Sequence, residues 1–396
     1  MANALATIIL LLTLLCRSAT GARTKASALG SQQPPSSLDA LADDNGICQS
    51  MVDPQNYDCE EHTVTTQDGY ILSLLKITIA NTCGTKYSRG HTSLSPDDPA
   101  YWDWTWDNLV SSDLPAVFNY VYDQTAQKLH YVGHSQGTLM ALAAFSREQF
   151  LVMLRAAVLL SPIAYIGQMT SPIAKSAVEN FLAEALYQLG VYEFDPRGDA
   201  VVKLLQDICQ KTGVDCTYLL TSFTGPNCCL NSTIVNVFLD HEPQPTSTKN
   251  LIHLAQMVRD GKISMYDYGN EGQNIEHYGQ ATPPLYNMSS IPNNLPFFLS
   301  YGGADALSDM RDVKLLLDSL KDHDGDKLVT QYRVDYAHAD FVMGENAREV
   351  VCDPQMTFLR LQCVHTFKKA RSPRILSVET CGCNGVKRNC VTLMRV

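Results

Sequence analysis

Lys128-Leu-His-Tyr-Val-Gly-His-Ser-Gln-Gly-Thr-Leu-Met-Ala-Leu142 is the stretch on which the fold turns. An apolar run from Lys128 to Gly133 reads as a strand, Gly-His-Ser-Gln-Gly reads as a turn, and Gly137 to Phe145 reads as an alanine-rich helix. Gly133 and Gly137 permit a turn too sharp for side chains with a Cβ, so Ser135 projects from the top of a sheet. The following helix aims its positive end at that serine oxygen. G-x-S-x-G alone is a weak pattern; its strand-turn-helix context gives it meaning. The plainer reading is a tight turn with a capping serine.

Further strand-like runs, each ending in small or polar residues, are Ala156 to Ser161, Leu295 to Gly302 and Lys327 to Tyr336. Between them lie helical patterns: Asp107 to Thr125, with Leu109, Leu114, Val117, Phe118 and Val121 on one face, and Arg311 to Leu320. Strand and helix in alternation predict an α/β fold, a mostly parallel central sheet flanked by helices. Ahead of it, two alternating runs around Asp68-Gly69 predict an antiparallel hairpin. The stretch 163–294 carries no clear sheet continuation. Its apolar positions Ile173, Ala177, Phe181, Ala185 and Leu189 predict an amphipathic helix, so it reads as an inserted cap or lid between two parts of one core, 47–162 and 295–363.

The 396 residues are 45% hydrophobic and 18% charged, enough to bury a sizeable core. Leu5 to Leu15, followed by Arg17 and small residues, has the pattern of a signal peptide over 1–22, and the Ser/Gln/Pro-rich 23–46 reads as a flexible lead-in. No later stretch is long and apolar enough to span a membrane. Thirteen cysteines become an even number once Cys16 leaves with the leader, which fits disulfides and a secreted or endomembrane-lumenal protein, extracellular or vacuolar/lysosomal. Asn231-Ser-Thr and Asn287-Met-Ser are glycosylation acceptors in such a compartment. Neither the adjacent Cys228 and Cys229 nor the C-x-C of Cys381 and Cys383 has a matching histidine cluster, so no metal is expected. The net charge of −11 argues against nucleic acid. The tail, 364–396, is the exception, with seven basic residues against Glu379 alone.

A serine that attacks an acyl carbon needs a base, and the base needs an acid to fix its tautomer. Gly302-Gly-Ala-Asp305 puts a carboxylate at the carboxyl end of a strand, where α/β sheets carry their active groups. Asp309 and Asp312 are rivals with a simpler role as charges in the first helical turn. His338, directly after the last strand, is the base that completes the order Ser, Asp, His; His323 sits in a polar turn and His365 near the tail. His130 and His134 read as packing beside the turn. Trp102, Trp104 and Trp106 read as core rather than as a lipid-contacting patch.

Five stretches together resemble the acid lipase family of α/β-hydrolases, the gastric and lysosomal acid lipases and their plant triacylglycerol lipase relatives. They are Tyr57-Asp-Cys-Glu-Glu-His-Thr-Val with Asp68-Gly-Tyr-Ile-Leu; Ala80-Asn-Thr-Cys-Gly-Thr-Lys-Tyr-Ser-Arg-Gly-His; Tyr101-Trp-Asp-Trp-Thr-Trp; Leu129-His-Tyr-Val-Gly-His-Ser-Gln-Gly-Thr; and Tyr301-Gly-Gly-Ala-Asp with Tyr336-Ala-His-Ala-Asp-Phe. The likeness spans about 47–360. It implies Ser135 as nucleophile, Asp305 as acid, His338 as base and the Gln136 backbone as an oxyanion donor, with no cofactor. It also implies a lid over an acyl pocket, neutral lipid esters as substrates and work at a lipid-water interface.

The chain departs from that pattern in one place. The family carries a histidine-glycine loop, a helix and a further strand ahead of the segment matching Ala80-Asn-Thr. Here Tyr70 to Ile77 runs straight into Thr78-Ile-Ala, and none of the ten histidines is followed by glycine. A central strand and the second oxyanion donor are therefore missing, which predicts a poor catalyst unless Ile77 to Ala80 slides into the vacant place and brings Asn81 and Thr82 to the site. Cys83 stands where the family usually has arginine. The alternative to an ester hydrolase is a secreted, non-catalytic lipid-binding or interaction protein on the same fold.

Overall fold

The computed structural model describes residues 61–75, 79–196, 217–231, 233, 235, 243–364 and 390–395. Residues 1–46, read above as leader and lead-in, His365 and most of the tail, with Cys381 and Cys383, lie outside them. No helix among the described residues is long and apolar enough to cross a membrane.

The chain enters through the expected hairpin. β1 (Glu61–Thr65) pairs antiparallel with β2 (Tyr70–Leu75), and β2 with the short β3 (Gly90–His91). Along β2, Tyr70, Leu72 and Leu74 are buried while Ile71 and Ser73 are half-buried, the period of two that places one face on the core. Next come the three tryptophans, all buried, as read from the sequence. The helix expected from Asp107 is interrupted by a π-turn at Leu109–Asp113, and α1 (Leu114–Thr125) continues after it with Pro115 in its first turn.

Among the described residues the main sheet has five strands in the order β10-β4-β5-β8-β9, every neighbouring pair parallel. They are β4 (Leu129–Ser135), β5 (Leu154–Leu160), β8 (Phe297–Gly302), β9 (Leu328–Arg333) and β10 (Cys390–Arg395). β4 and β5 are buried along nearly their whole length because both faces are covered. Ala157 and Leu159 of β5 join one core with the tryptophans, α1 and α2 (Gln136–Ser146); Ala156, Val158 and Leu160 join the other with Val132, Phe298, Tyr336 and Phe358. Every residue of α2 from Gly137 to Ser146 is buried, which suits a helix of small and apolar side chains all round.

The place beside β4 is held by the tail. β10 pairs with β4 from Cys390↔His130 to Arg395↔Ser135. An open edge on β4 would leave buried backbone N–H and C=O groups without partners, and β10 answers that demand. Of the run Ile77 to Ala80 expected to slide beside β4, Ile77 and Thr78 lie outside the described residues, and Ala80 is not there: it makes an antiparallel bridge to Leu74, and the Asn81 N–H donates to the Ser73 carbonyl at 3.2 Å, so Ala80 and Asn81 lie against β2.

The stretch between β5 and β8 contains α3 (Pro172–Glu179), α4 (Leu182–Gln188), the two-stranded pair β6 (Glu193–Phe194) and β7 (Thr246–Ser247), and α5 (Thr248–Asp260). The single helix expected from Ile173 to Leu189 is instead two helices, broken at Phe181, whose φ is 50°. The pattern itself contains the reason. Apolar residues at a strict spacing of four drift by about 40° per step around a helix, so five of them spread over too wide an arc for one straight stripe. α3 and α4 bury no residue, and Ile173, Phe181 and Leu189 are exposed.

Candidate active site

Ser135 ends β4 with φ 52° and ψ −124°, a conformation side chains rarely adopt, costing on the order of 1–3 kcal/mol that the surrounding packing must offset. The elbow is held on several sides. The Tyr131 hydroxyl donates to the Gly137 carbonyl at 2.6 Å, and Thr138 Oγ1 donates to the Ser135 carbonyl at 2.6 Å while accepting from the Ile163 N–H. A Cβ on Gly133 would press on the Tyr131 ring and the Gly137 backbone, so the glycine is required by close approach.

Three loops bring their side chains together here. His338 Nε2 lies 2.7 Å from Ser135 Oγ, and His338 Nδ1 lies 3.0 and 3.1 Å from the two carboxylate oxygens of Asp305. A carboxylate only accepts, so Nδ1–H donates to it and Nε2 is left as the acceptor for the serine hydroxyl. Asp305 Oδ1 also accepts the N–H groups of Leu307 and Ser308 at 2.9 and 2.8 Å. Burial alone would raise the Asp305 pKa; the adjacent His338 and the two N–H groups outweigh it and hold the carboxyl below the usual carboxylate range. Asp305 and His338 are buried, and Ser135 is half-exposed.

The rivals sit elsewhere. Asp309 caps the helix Met310–Ser319 through the Arg311 N–H, and Asp312 accepts the Gln168 N–H at 2.9 Å, with its pKa raised by burial to about 6. His323 stacks on Phe297. The Gln136 side chain reaches Asn250 of α5 at 3.5 Å, while its backbone opens α2 directly beyond Ser135. Asn287 is exposed at the start of a short 3₁₀ turn, and Asn231 Nδ2 donates to Glu345.

Other residues hold the site and gave no signal in the sequence. The Thr224 carbonyl accepts the N–H groups of both Ala306 and His338, each at 3.2 Å, so a segment between β5 and β8 clamps the Asp305 and His338 loops at once. Gly225, with φ 100°, is forced by contact, since a Cβ there would fall on the Ala304 carbonyl oxygen. The buried carboxylate of Asp340 accepts from Ala337, Cys228 and Cys229 N–H groups at 2.8, 3.1 and 3.1 Å. Only a hydrogen-bond pattern across distant loops identifies it. His134, read as packing, donates from Nε2 to the His338 carbonyl at 3.0 Å and lies ring against ring with His338. Cys228, Cys229 and Asp340 form the metal-capable cluster found among the described residues, but the two sulfurs are bonded to each other.

Comparison with known proteins finds relatives of this chain. The model of a partial alpha/beta-hydrolase lipase region matches residues 48–96. Triacylglycerol lipase 2 of Arabidopsis thaliana is 44% identical over 381 residues, covering 83% of this chain and 90% of that protein. Triacylglycerol lipase 1 of the same plant is 36% identical, covering 80% and 91%. Human lipase member K is 30% identical, covering 74% and 86%.

Proposed function

Since the chain belongs to the acid lipase family of α/β-hydrolases and is a lipase-like ester hydrolase, we propose that it cleaves acylglycerols or similar neutral lipid esters through an acyl-enzyme on Ser135. The observation that carries this reading is the continuous hydrogen-bonded line Ser135 Oγ, His338 Nε2, His338 Nδ1, Asp305.

In this reading His338 takes the serine proton as Oγ attacks the ester carbonyl, and Asp305 steadies the imidazolium that results. The Gln136 N–H, at the start of α2, faces the oxyanion, with the helix dipole adding to it. His338 then returns the proton to the departing alcohol oxygen. Water then attacks the acyl carbon, giving a proton to the same Nε2, and the C–Oγ bond breaks to release the acid as Nε2 returns that proton to Ser135 Oγ. The depressed Asp305 pKa keeps the acid partner ionised into mildly acidic solution.

The exposed apolar residues of α3 and α4, with Val191 and Phe223, form the lid surface that meets the lipid-water interface. The leader, secretion or lumenal residence, and glycans at Asn231 and Asn287 belong to the same reading. The test is reaction with an organophosphonate ester. Labelling of Ser135, with loss of labelling and of ester hydrolysis in Ser135→Ala, is the expected result; an unlabelled Ser135, or full hydrolysis by the alanine variant, would return the chain to a lipid-binding role.

A further inference from the structure

A concavity of about 320 Å³ opens between the turn after the tryptophans, the end of α2 and the stretch that follows α5, within the roughly 300–1,000 Å³ of ligand cavities. Among the described residues, none that lines it belongs to or hydrogen-bonds with Ser135, His338 or Asp305. Arg147, on its wall, follows the last residue of α2, a helix about 16 Å long that begins beside Ser135. The walls are aromatic, with Tyr266, Tyr268, Tyr278, Tyr286 and His277. Asp107 fixes two of these residues, accepting the Tyr286 hydroxyl at 2.7 Å and the Tyr266 N–H at 2.9 Å. Tyr278 donates its hydroxyl to the Tyr266 carbonyl at 2.8 Å, and Tyr268 lies flat on His277 with ring centres 3.7 Å apart. The rings are held before any ligand arrives, which spares part of the ordering cost of binding.

We propose that this cavity is a binding site for a neutral saccharide of one or two rings, a role that goes beyond ester hydrolysis and does not depend on Ser135. The charges on the wall cancel, Asp103 and Asp107 against Arg147 and Lys249, so the site selects no ion. Polar groups of both senses are left over. The exposed Arg147 guanidinium lies 4.1 Å over the Tyr286 ring and has no carboxylate partner among the described residues. Asn108 accepts the Thr105 N–H at 3.0 Å through Oδ1, and its Nδ2 remains a donor. Lys249 engages Oδ1 of Asp103 at 2.6 Å, and Oδ2 remains an acceptor. A hydroxyl both gives and accepts a hydrogen bond, so a sugar uses both sets. The other half of a sugar ring is a face of C–H groups. Those weakly positive hydrogens settle on the negative faces of the tyrosine rings. An acyl chain fits poorly, since Val110 and Met265 are the aliphatic side chains on the wall and the rest would lose water without new partners.

Saturation-transfer NMR of the full chain with cellobiose, maltose and N,N′-diacetylchitobiose tests the site. Asn287 is exposed and directly follows Tyr286, so Asn287→Gln is measured beside the parent to separate two sources of the sugar. Binding by both proteins means a saccharide from solution; binding by Asn287→Gln alone means that a glycan carried on Asn287 fills the cavity in the parent. In whichever protein binds, adding Arg147→Ala or Tyr268→Ala should lower the affinity about tenfold. Arg147 is exposed, so Arg147→Ala should keep the melting temperature and the rate on p-nitrophenyl butyrate, and it carries the test if Tyr268→Ala fails to fold. Absence of transfer to any of the three sugars in both proteins, or unchanged affinity after Arg147→Ala, overturns the proposal.

Discussion

Gly225→Ala tests the clamp that joins the segment between β5 and β8 to the Asp305 and His338 loops. A Cβ at this position would fall on the Ala304 carbonyl oxygen and press on the Ala306 N–H, at a φ of 100° that alanine rarely adopts. The backbone strain alone is of order 1–3 kcal/mol. Overpacking in a site that cannot yield adds about 1–3 kcal/mol more, and relieving the overlap requires the loop to retreat by about 1 Å. Thr224, the preceding residue, would move with it, and its carbonyl holds the N–H groups of Ala306 and His338. Asp305 and His338 would then be displaced relative to each other and to Ser135, and a misplacement of about 1 Å costs roughly 10²-fold in rate. At about 2 °C per kcal/mol for a chain of this size, the melting temperature should fall by about 4–12 °C. Differential scanning fluorimetry and kcat with a soluble butyrate ester measure the two effects, and phosphonate titration corrects for inactive protein. A variant that melts and turns over like the parent would refute the clamp.

Asp305→Asn should lower turnover by about 10⁴ by removing the charge that fixes the His338 tautomer. Because the folded Asp305 pKa is depressed, its contribution to stability is fully present above the unfolded carboxylate value and lost as pH falls through the folded one; denaturant unfolding of parent and variant should therefore converge towards pH 2. Asp312 has the opposite sign. With a folded pKa of about 6 it opposes folding once ionised, so the melting temperature of Asp312→Asn should gain on the parent as pH rises from about 4 to about 6 and hold that gain above. Arg259 pairs with Glu184 at 2.7 Å and lies 4.7 Å over the Phe181 ring, at the break between α3 and α4. Arg259→Ala should loosen that break, raising the rate on monomeric esters and shrinking the rise in rate as substrate forms droplets, with global stability changed by only about 1 kcal/mol.

The triad candidates were legible because each sits at the carboxyl end of a strand whose apolar run announces it: Ser135 after Leu129 to Val132, Asp305 after Phe297 to Leu299, and His338 shortly after Leu328 to Arg333. Local patterns of this kind survive reading one residue at a time. Thr224, Gly225 and Asp340 act through contacts between loops far apart in the chain, and a threonine carbonyl looks the same in any sequence. The break at Phe181 is hidden in the sequence because a spacing of four satisfies helical periodicity locally while the apolar face drifts around the helix. The partner of β4 was the hardest to foresee. An unfilled sheet edge states a demand for a strand without naming one, and Ile77 to Ala80 was nearer to hand than Cys390 to Arg395.

The pairing of β4 with β10 joins residues 260 positions apart, Cys390 with His130. At usual elongation rates the ribosome takes roughly 10–50 s to make that interval. Throughout it, β4 and β5 can assemble with α2 while one edge of β4 stays bare, an invitation to strands of other chains. Loop closure over such a span is slow as well as late. The newborn protein is thus most vulnerable to aggregation after Ser135 is in place and before the sheet beside it is closed, and a chaperone that shields the β4 edge would act in that window.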